Sequence, residues 1–243
     1  MVDARGARHV AQLAVSGCLY DTNATAPWGR SVTAPNASRC TVSIAWRDVA
    51  YPAVVDPAWG TTGSLATARG SHTASVLASG KVLIAGGAGT ATAELFDPTA
   101  NGGLGAFAAT GSLATARDGA TASVLASGKV LIAGGRTSPS PALASAEIYD
   151  PTGAGTFAAT GAMATTRYGH AAVVLGSGRV LITGGVAVVG GAALASAELF
   201  DPAANGATGA FSGTGSMATA RSLHSASVLA SGKVLVAGGP GAS

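Results

Sequence analysis

The sequence predicts an all-β protein built from repeated four-stranded antiparallel units. Three observations carry that expectation. The stretch Ala74-Ser-Val-Leu-Ala-Ser-Gly-Lys-Val-Leu-Ile-Ala-Gly-Gly87 recurs at Ala122–Gly135, Ala172–Gly185 and Ala226–Gly239. Each copy is an apolar run, a Ser-Gly turn and a second apolar run, which is β-hairpin chemistry because Gly supplies the positive φ of a tight turn. The double glycines Gly86-Gly87, Gly134-Gly135, Gly184-Gly185 and Gly238-Gly239 step by 48, 50 and 54 residues. Other blocks keep the same steps, so the repeat unit is larger than the hairpin.

Those blocks supply the remaining strands in order. Each hairpin is preceded by an Arg-ending segment: Ala-Thr-Ala-Arg69, Ala-Thr-Ala-Arg117, Ala-Thr-Thr-Arg167 and Ala-Thr-Ala-Arg221. Three hairpins are followed by a strand closed by Asp-Pro: Ala-Glu94-Leu-Phe-Asp-Pro98, Ala-Glu147-Ile-Tyr-Asp-Pro151 and Ala-Glu198-Leu-Phe-Asp-Pro202. An aromatic stands ten residues before each Arg, at Trp59, Phe107, Phe157 and Phe211. A unit of about 50 residues holding four short strands is the signature of a propeller blade. The predicted blades run over about 64–111, 112–161 and 162–215, with a partial blade at 216–243. Ala53-Val-Val-Asp-Pro57 reads as a worn copy of the Asp-Pro block, so strands at Ala53–Asp56 and Trp59–Leu65 are the expected outer half of another partial blade.

The blocks resemble the kelch repeat. Arg69 with His72, the Gly86-Gly87 pair, Phe96 and Phe107 fill that repeat's slots in the first unit. The resemblance spans roughly residues 53–239, and it departs from the family pattern where Phe replaces a late Trp. It implies kelch-type propeller blades, three complete and partial at both ends. It also implies hairpin strands nearest the central axis and aromatic-bearing strands outermost. Kelch rings usually resemble six- or seven-bladed ones. The complementary half-blades at the two ends leave a four-bladed ring open as an alternative. The reading favoured is an open arc, with an unpaired edge at Lys233–Gly239 that promotes self-association.

Composition narrows the function classes. The chain has 243 residues, 48% hydrophobic and only 5% aromatic, so Ala, Val and Leu must fill the core. A net charge of +3 with no basic run gives no footprint for nucleic acid. No apolar stretch reaches the length of a membrane span. Residues 1–50 share nothing with the repeats and read as a separate, partly disordered segment, with one strand candidate at Thr41–Trp46. Cys18 and Cys40 lie there and allow one disulfide. Val15-Ser-Gly-Cys18 resembles the lipobox of bacterial lipoproteins and hints at export, although its apolar run is short and carries Gln12. Asn23 and Asn36 head glycosylation triplets.

Candidate chemistry is found by subtracting what the repeat explains. From Trp59 onward every charged residue except Asp118 and Arg136 sits at a repeat-locked position. A charge that recurs in every unit does the same job in every unit. The expectation is therefore that Arg69, Arg117, Arg167 and Arg221 meet Glu94, Glu147 and Glu198 as partly buried, hydrogen-bonded structural pairs at blade edges. His72, His170 and His224 each follow an Arg by three positions, whereas the second unit has Ala120. They are a candidate polar ring at one mouth of the channel. Three imidazoles on separate blades are expected to stand too far apart to share one ion, so no metal site is assigned.

Catalytic constellations are not found. Copper-radical oxidases built on such propellers need a cysteine-modified tyrosine with further Tyr and His ligands. Here both cysteines lie outside the repeats, which contain only Tyr149 and Tyr168. Every repeat Glu is repeat-locked, against the facing carboxylates that glycoside hydrolysis requires. The sequence thus predicts no catalytic, cofactor or metal residues. It predicts a non-catalytic binding or scaffold module whose loops Arg136–Ser145 and Val186–Ser196 meet a protein or glycan ligand. The alternative is a sugar oxidase or isomerase of the kelch type, or an inactive fragment of one.

Overall fold

The computed structural model describes the strands 12–16 and 41–45, and residues 62–137 and 141–240. The chain divides into two units, 1–60 and 61–243. In the first, β1 (Gln12–Ser16) pairs antiparallel with β2 (Thr41–Ala45). The sequence pattern pointed to β2 alone. Cys18, Cys40, Asn23, Asn36, the 53–56 strand candidate and Trp59 lie outside the described residues.

In the second unit three complete blades follow one another. The first orders β3 (Thr73–Val76), β4 (Val82–Ala85), β5 (Ala93–Asp97) and β6 (Ala106–Ala109). The second orders β7 (Thr121–Val124), β8 (Val130–Ala133), β9 (Ala146–Asp150) and β10 (Thr156–Ala159). The third orders β11 (Ala171–Val174), β12 (Val180–Thr183), β13 (Ala197–Asp201) and β14 (Ala210–Thr214). A final hairpin joins β15 (Ser225–Val228) to β16 (Val234–Ala237). All pairings are antiparallel between chain neighbours. The described residues contain almost no helix: one 3-10 turn at Asn101–Gly103 and one short turn at Ala204–Ala207.

The Ser-Gly turns do what their chemistry implies. In the first blade the Gly80 N–H donates to the Leu77 carbonyl (2.9 Å) and Leu77 N–H to the Lys81 carbonyl (2.8 Å), with Gly80 at φ +79°. The first strands β3, β7, β11 and β15 lie side by side, and so form the inner row about which the blades are arranged. Each aromatic pair predicted to lie outermost joins the third and fourth strands. Phe96–Phe107, Tyr149–Phe157 and Phe200–Phe211 all have ring centroids 4.9 Å apart.

The core lies between blades. Strands β4, β8 and β12 are apolar at consecutive positions because both of their faces are covered. Leu83 and Ala85 of the first blade pack with Val130, Ile132 and Tyr149 of the second. Leu131 and Ala133 on the opposite face of the second pack with Val180, Ile182 and Phe200 of the third. Alternate residues of one short strand thus belong to two different cores. The predicted outer strand at Trp59–Leu65 is not found in its described part, since residues 62–65 are irregular.

Candidate functional site

Each complete blade holds one buried ion pair, and its geometry follows from the repeat. The Arg that ends the segment crossing from the preceding blade lies along its own blade and reaches the third strand. Arg117 donates from Nη1 to the carbonyls of Gly134 (2.9 Å) and Ser145 (2.8 Å), and from Nη2 to Ser145 Oγ (3.0 Å) and Glu147 Oε1 (2.8 Å). Arg167 repeats this on Gly184, Ser196 and Glu198, and Arg69 on Gly86, Thr92 and Glu94. The other carboxylate oxygen accepts the backbone N–H of Ala66, Ala114 or Ala164. Each Glu therefore fastens the crossing segment as well as the Arg.

These pairs are more enclosed than the sequence implied, with side chains no more than 4% exposed. Burial pushes the Glu94 carboxyl up, but the Ala66 N–H and the Arg69 guanidinium outweigh it and hold the group below its ordinary range. The hydroxyls of Thr92, Ser145 and Ser196 were missed by sequence reasoning. Their signal was present: each stands two residues before a repeat Glu. Arg221 differs. It donates to the Gly238 carbonyl (2.7 Å), but among the described residues no third strand follows β16 to bring a Glu.

The double glycines are places where the next blade comes close. A Cβ on Gly86 would lie 2.6 Å from the Arg117 carbonyl oxygen, and one on Gly134 would lie 2.6 Å from that of Arg167. The second glycine of the first three pairs donates its N–H to that same carbonyl: Gly87 to Arg117 (2.8 Å), Gly135 to Arg167 (2.9 Å) and Gly185 to Arg221 (2.9 Å). At Gly238 a Cβ would meet nothing within 4 Å, while Gly239 is crowded by Ser222 and His224 of its own hairpin.

The three histidines directly precede β3, β11 and β15 but do not share one environment. His72 is exposed. His170 and His224 are buried, each with its ring edge against the glycine of the preceding blade, Gly134 or Gly184. His170 Nε2 shares a hydrogen bond with Thr121 Oγ1 (2.9 Å) and His224 Nε2 with Thr183 Oγ1 (2.8 Å). They act as wedges between blades, where a ring of three at a channel mouth was the candidate. Burial, followed by the nearby Arg167 charge, pushes His170 down to about 3, and burial also lowers His224. An unfolded histidine binds its proton near pH 6.5. The His170 contribution is therefore complete above that value and is lost as pH falls from 6.5 toward 3. Thermal midpoints measured between pH 7 and 5 should fall more steeply for the wild type than for His170→Gln.

The two charges outside the repeat are brought together. Arg136 Nη2 lies 3.7 Å from Asp118 Oδ2, and its guanidinium stands 5.0 Å from the centre of the Tyr168 ring. Asp118 Oδ1 accepts the Ala88 N–H of the first blade (3.1 Å), so this cluster ties two blades at one face. On the same face a line of backbone bonds crosses all three blades and the hairpin. It runs from Gly119 N–H to Ser71 (3.0 Å), Gly169 N–H to Gly119 (3.5 Å) and Leu223 N–H to Gly169 (2.7 Å). Both long loops arise here. Arg136 bridges to Ala142, and Val186 to Tyr168 and Ala193. Val188, Val189 and Leu223 are exposed beside them.

The opposite face carries the hairpin turns. A groove of about 720 Å³ lies there between the second and third blades, lined by Leu125, Lys129, Ile148, Arg179, Asp201 and Pro202. Its charges form exposed pairs, Lys129–Asp150 and Arg179–Asp201, both at 2.9 Å, which Lys81–Asp97 repeats at 3.0 Å. The groove is thus made of repeat positions, whereas the Asp118–Arg136–Tyr168 cluster occurs once. Among the described residues no group of three or more His, Cys, Asp or Glu is gathered in metal-binding proximity. No described helix is long and apolar enough to cross a membrane.

Inner hairpins, outer aromatic strands and interblade cores define the chain as an all-β protein of four-stranded propeller blades, and a solved structure it matches fits a kelch-like sheet fold. It is similar to YjhT, with a TM-score of 0.55 and 16% identity over 66% of this chain, and it spans 56% of that chain's length. It also matches a copper-bound fungal alcohol oxidase of the AA5 family, with a TM-score of 0.45 and 16% identity over 71% of this chain and 47% of that one. This second match corrects the expectation that the chain is no enzyme. At this similarity the match assigns no activity to this chain. No family model and no curated protein matches.

Proposed function

We propose that the chain is a kelch-repeat protein whose blades, with residues 1–50 as a separate segment, present a binding face for a protein or glycan ligand. The observation that carries this reading is the cluster of Asp118, Arg136 and Tyr168. It holds the only charges outside the repeat in the blade region and lies beside the two longest loops. The repeat-locked Arg–Glu pairs and double glycines are, in this reading, structural, and they hold the face rigid while the loops vary. An array of oligosaccharides tests the glycan arm, and a photo-cross-linker at Val188 tests the protein arm. Arg136→Ala and Tyr168→Ala should each weaken the captured ligand roughly tenfold, about 1.4 kcal/mol. Lys129→Ala, on the opposite face, should leave it unchanged. Equal affinity in all three variants would remove the site from this face.

A further inference from the structure

The two ends of the blade series carry unmatched halves of an interface that the chain builds twice internally. One half is the surface bearing Leu83 in the first blade and Leu131 in the second, each 1% exposed. The third copy, Leu181, is partly buried, and the fourth, Leu235 on the last hairpin, is 53% exposed. Leu77 and Leu125 are 5% exposed where their counterpart Leu229 is 43%. Gly238 repeats the vacancy: at Gly86 and Gly134 the next blade's backbone fills the space that at Gly238 is empty to 4 Å.

The other half stands on the first blade. Val82, Ile84 and Phe96 occupy the repeat positions of Val130, Ile132 and Tyr149. Ile84 is buried, but Val82 and Phe96 are only partly so, whereas Val130 and Tyr149 are fully buried. Leu65 occupies the position of Leu113 and Met163, whose side chains lie against Gly86 and Gly134 of the preceding blade. Leu65 is partly exposed where those two are 4% exposed.

We propose that the β15–β16 hairpin of one copy docks on the first blade of a second copy, repeating the interblade interface between chains. Leu229 and Leu235 of one copy then cover Val82, Ile84 and Phe96 of the next. Leu65 fills the space at Gly238, and the Gly239 N–H meets the Arg69 carbonyl. A second copy is the occupant because the face required is this chain's own, residue for residue in the repeat. Among the described residues no strand of the same chain covers this face: Leu235 is half exposed and nothing lies within 4 Å of a Cβ on Gly238. The contact is heterologous, so it propagates into a ring or a chain of copies rather than stopping at a two-fold pair.

Light scattering of the full chain over rising concentration reads the association. Species of two or more copies are expected, and Leu235→Asp should weaken their formation at least tenfold while keeping the thermal midpoint. Val124→Asp, an exposed apolar site on β7, should leave assembly intact. In a Cys18→Ser, Cys40→Ser background, Leu235→Cys with Val82→Cys should cross-link through a short bis-maleimide into multiples of the chain mass. A monomer at every concentration, assembly indifferent to Leu235→Asp, or cross-linking within single chains would each overturn the proposal.

Discussion

Arg167→Ala should lower the thermal midpoint by roughly 6–12 °C, corresponding to about 3 kcal/mol. The loss is not the value of one ion pair. Glu198 would remain enclosed, with its Oε1 deprived of Arg167 and its position still fixed by the Ala164 N–H. The Gly184 carbonyl would lose its Arg167 donor in the same step, and the Ser196 carbonyl would keep only the Gly184 N–H. Breaking a buried pair from one side leaves a desolvated charge, which is why the effect exceeds that of a surface pair. Lys129→Ala provides the contrast. Its ammonium meets Asp150 at 2.9 Å, but the lysine side chain is 45% exposed, and water replaces it. Its midpoint should move little. Differential scanning calorimetry of the two variants checks both, and equal midpoints would refute a structural role for the Arg–Glu pair.

Gly134→Ala should be about as damaging, for a different reason. Its backbone is at φ +61°, where a Cβ costs about 1 kcal/mol. The added carbon would also lie 2.6 Å from the Arg167 carbonyl oxygen and 2.7 Å from the His170 ring. Neither neighbour gives way easily, since the carbonyl accepts the Gly135 N–H and the ring is buried. Overpacking of this kind adds about 1–3 kcal/mol. Gly238→Ala shares the left-handed backbone, at φ +71°, but not the crowding. In dilute monomer it should cost only the backbone share, about 1 kcal/mol. Denaturant midpoints of the two alanine variants separate the contributions. If they match, the glycines serve the turn alone, and close approach of the next blade is not what requires them.

The repeat made the local architecture legible because every element is short and punctuated. Ser-Gly, Gly-Gly and Asp-Pro mark where strands end, and strands of four or five residues leave little room for another reading. The candidate Arg–Glu partners were legible for the same reason, since a charge recurring in each unit must find its counterpart within the unit. Ser145 and Ser196 were not recognised, because a hydroxyl among so many small residues stands out only when an Arg is seen to reach it.

Other features needed the tertiary structure. Sequence spacing placed three histidines alike, yet only packing against Gly134 and Gly184 buries two of them and leaves His72 exposed. Subtraction isolated Asp118 and Arg136, but their meeting, with Tyr168 from the next blade beside them, depends on how inner strands line up across blades. The sequence by itself determined the strands of the three complete blades and the last hairpin, their order within a blade and the recurring pairs, all set by contacts within about 50 residues. The tertiary structure decided which copies of a repeated residue are covered and which are bare. Leu83 and Leu235 are the same residue in the same motif, and only a neighbouring blade makes one of them core.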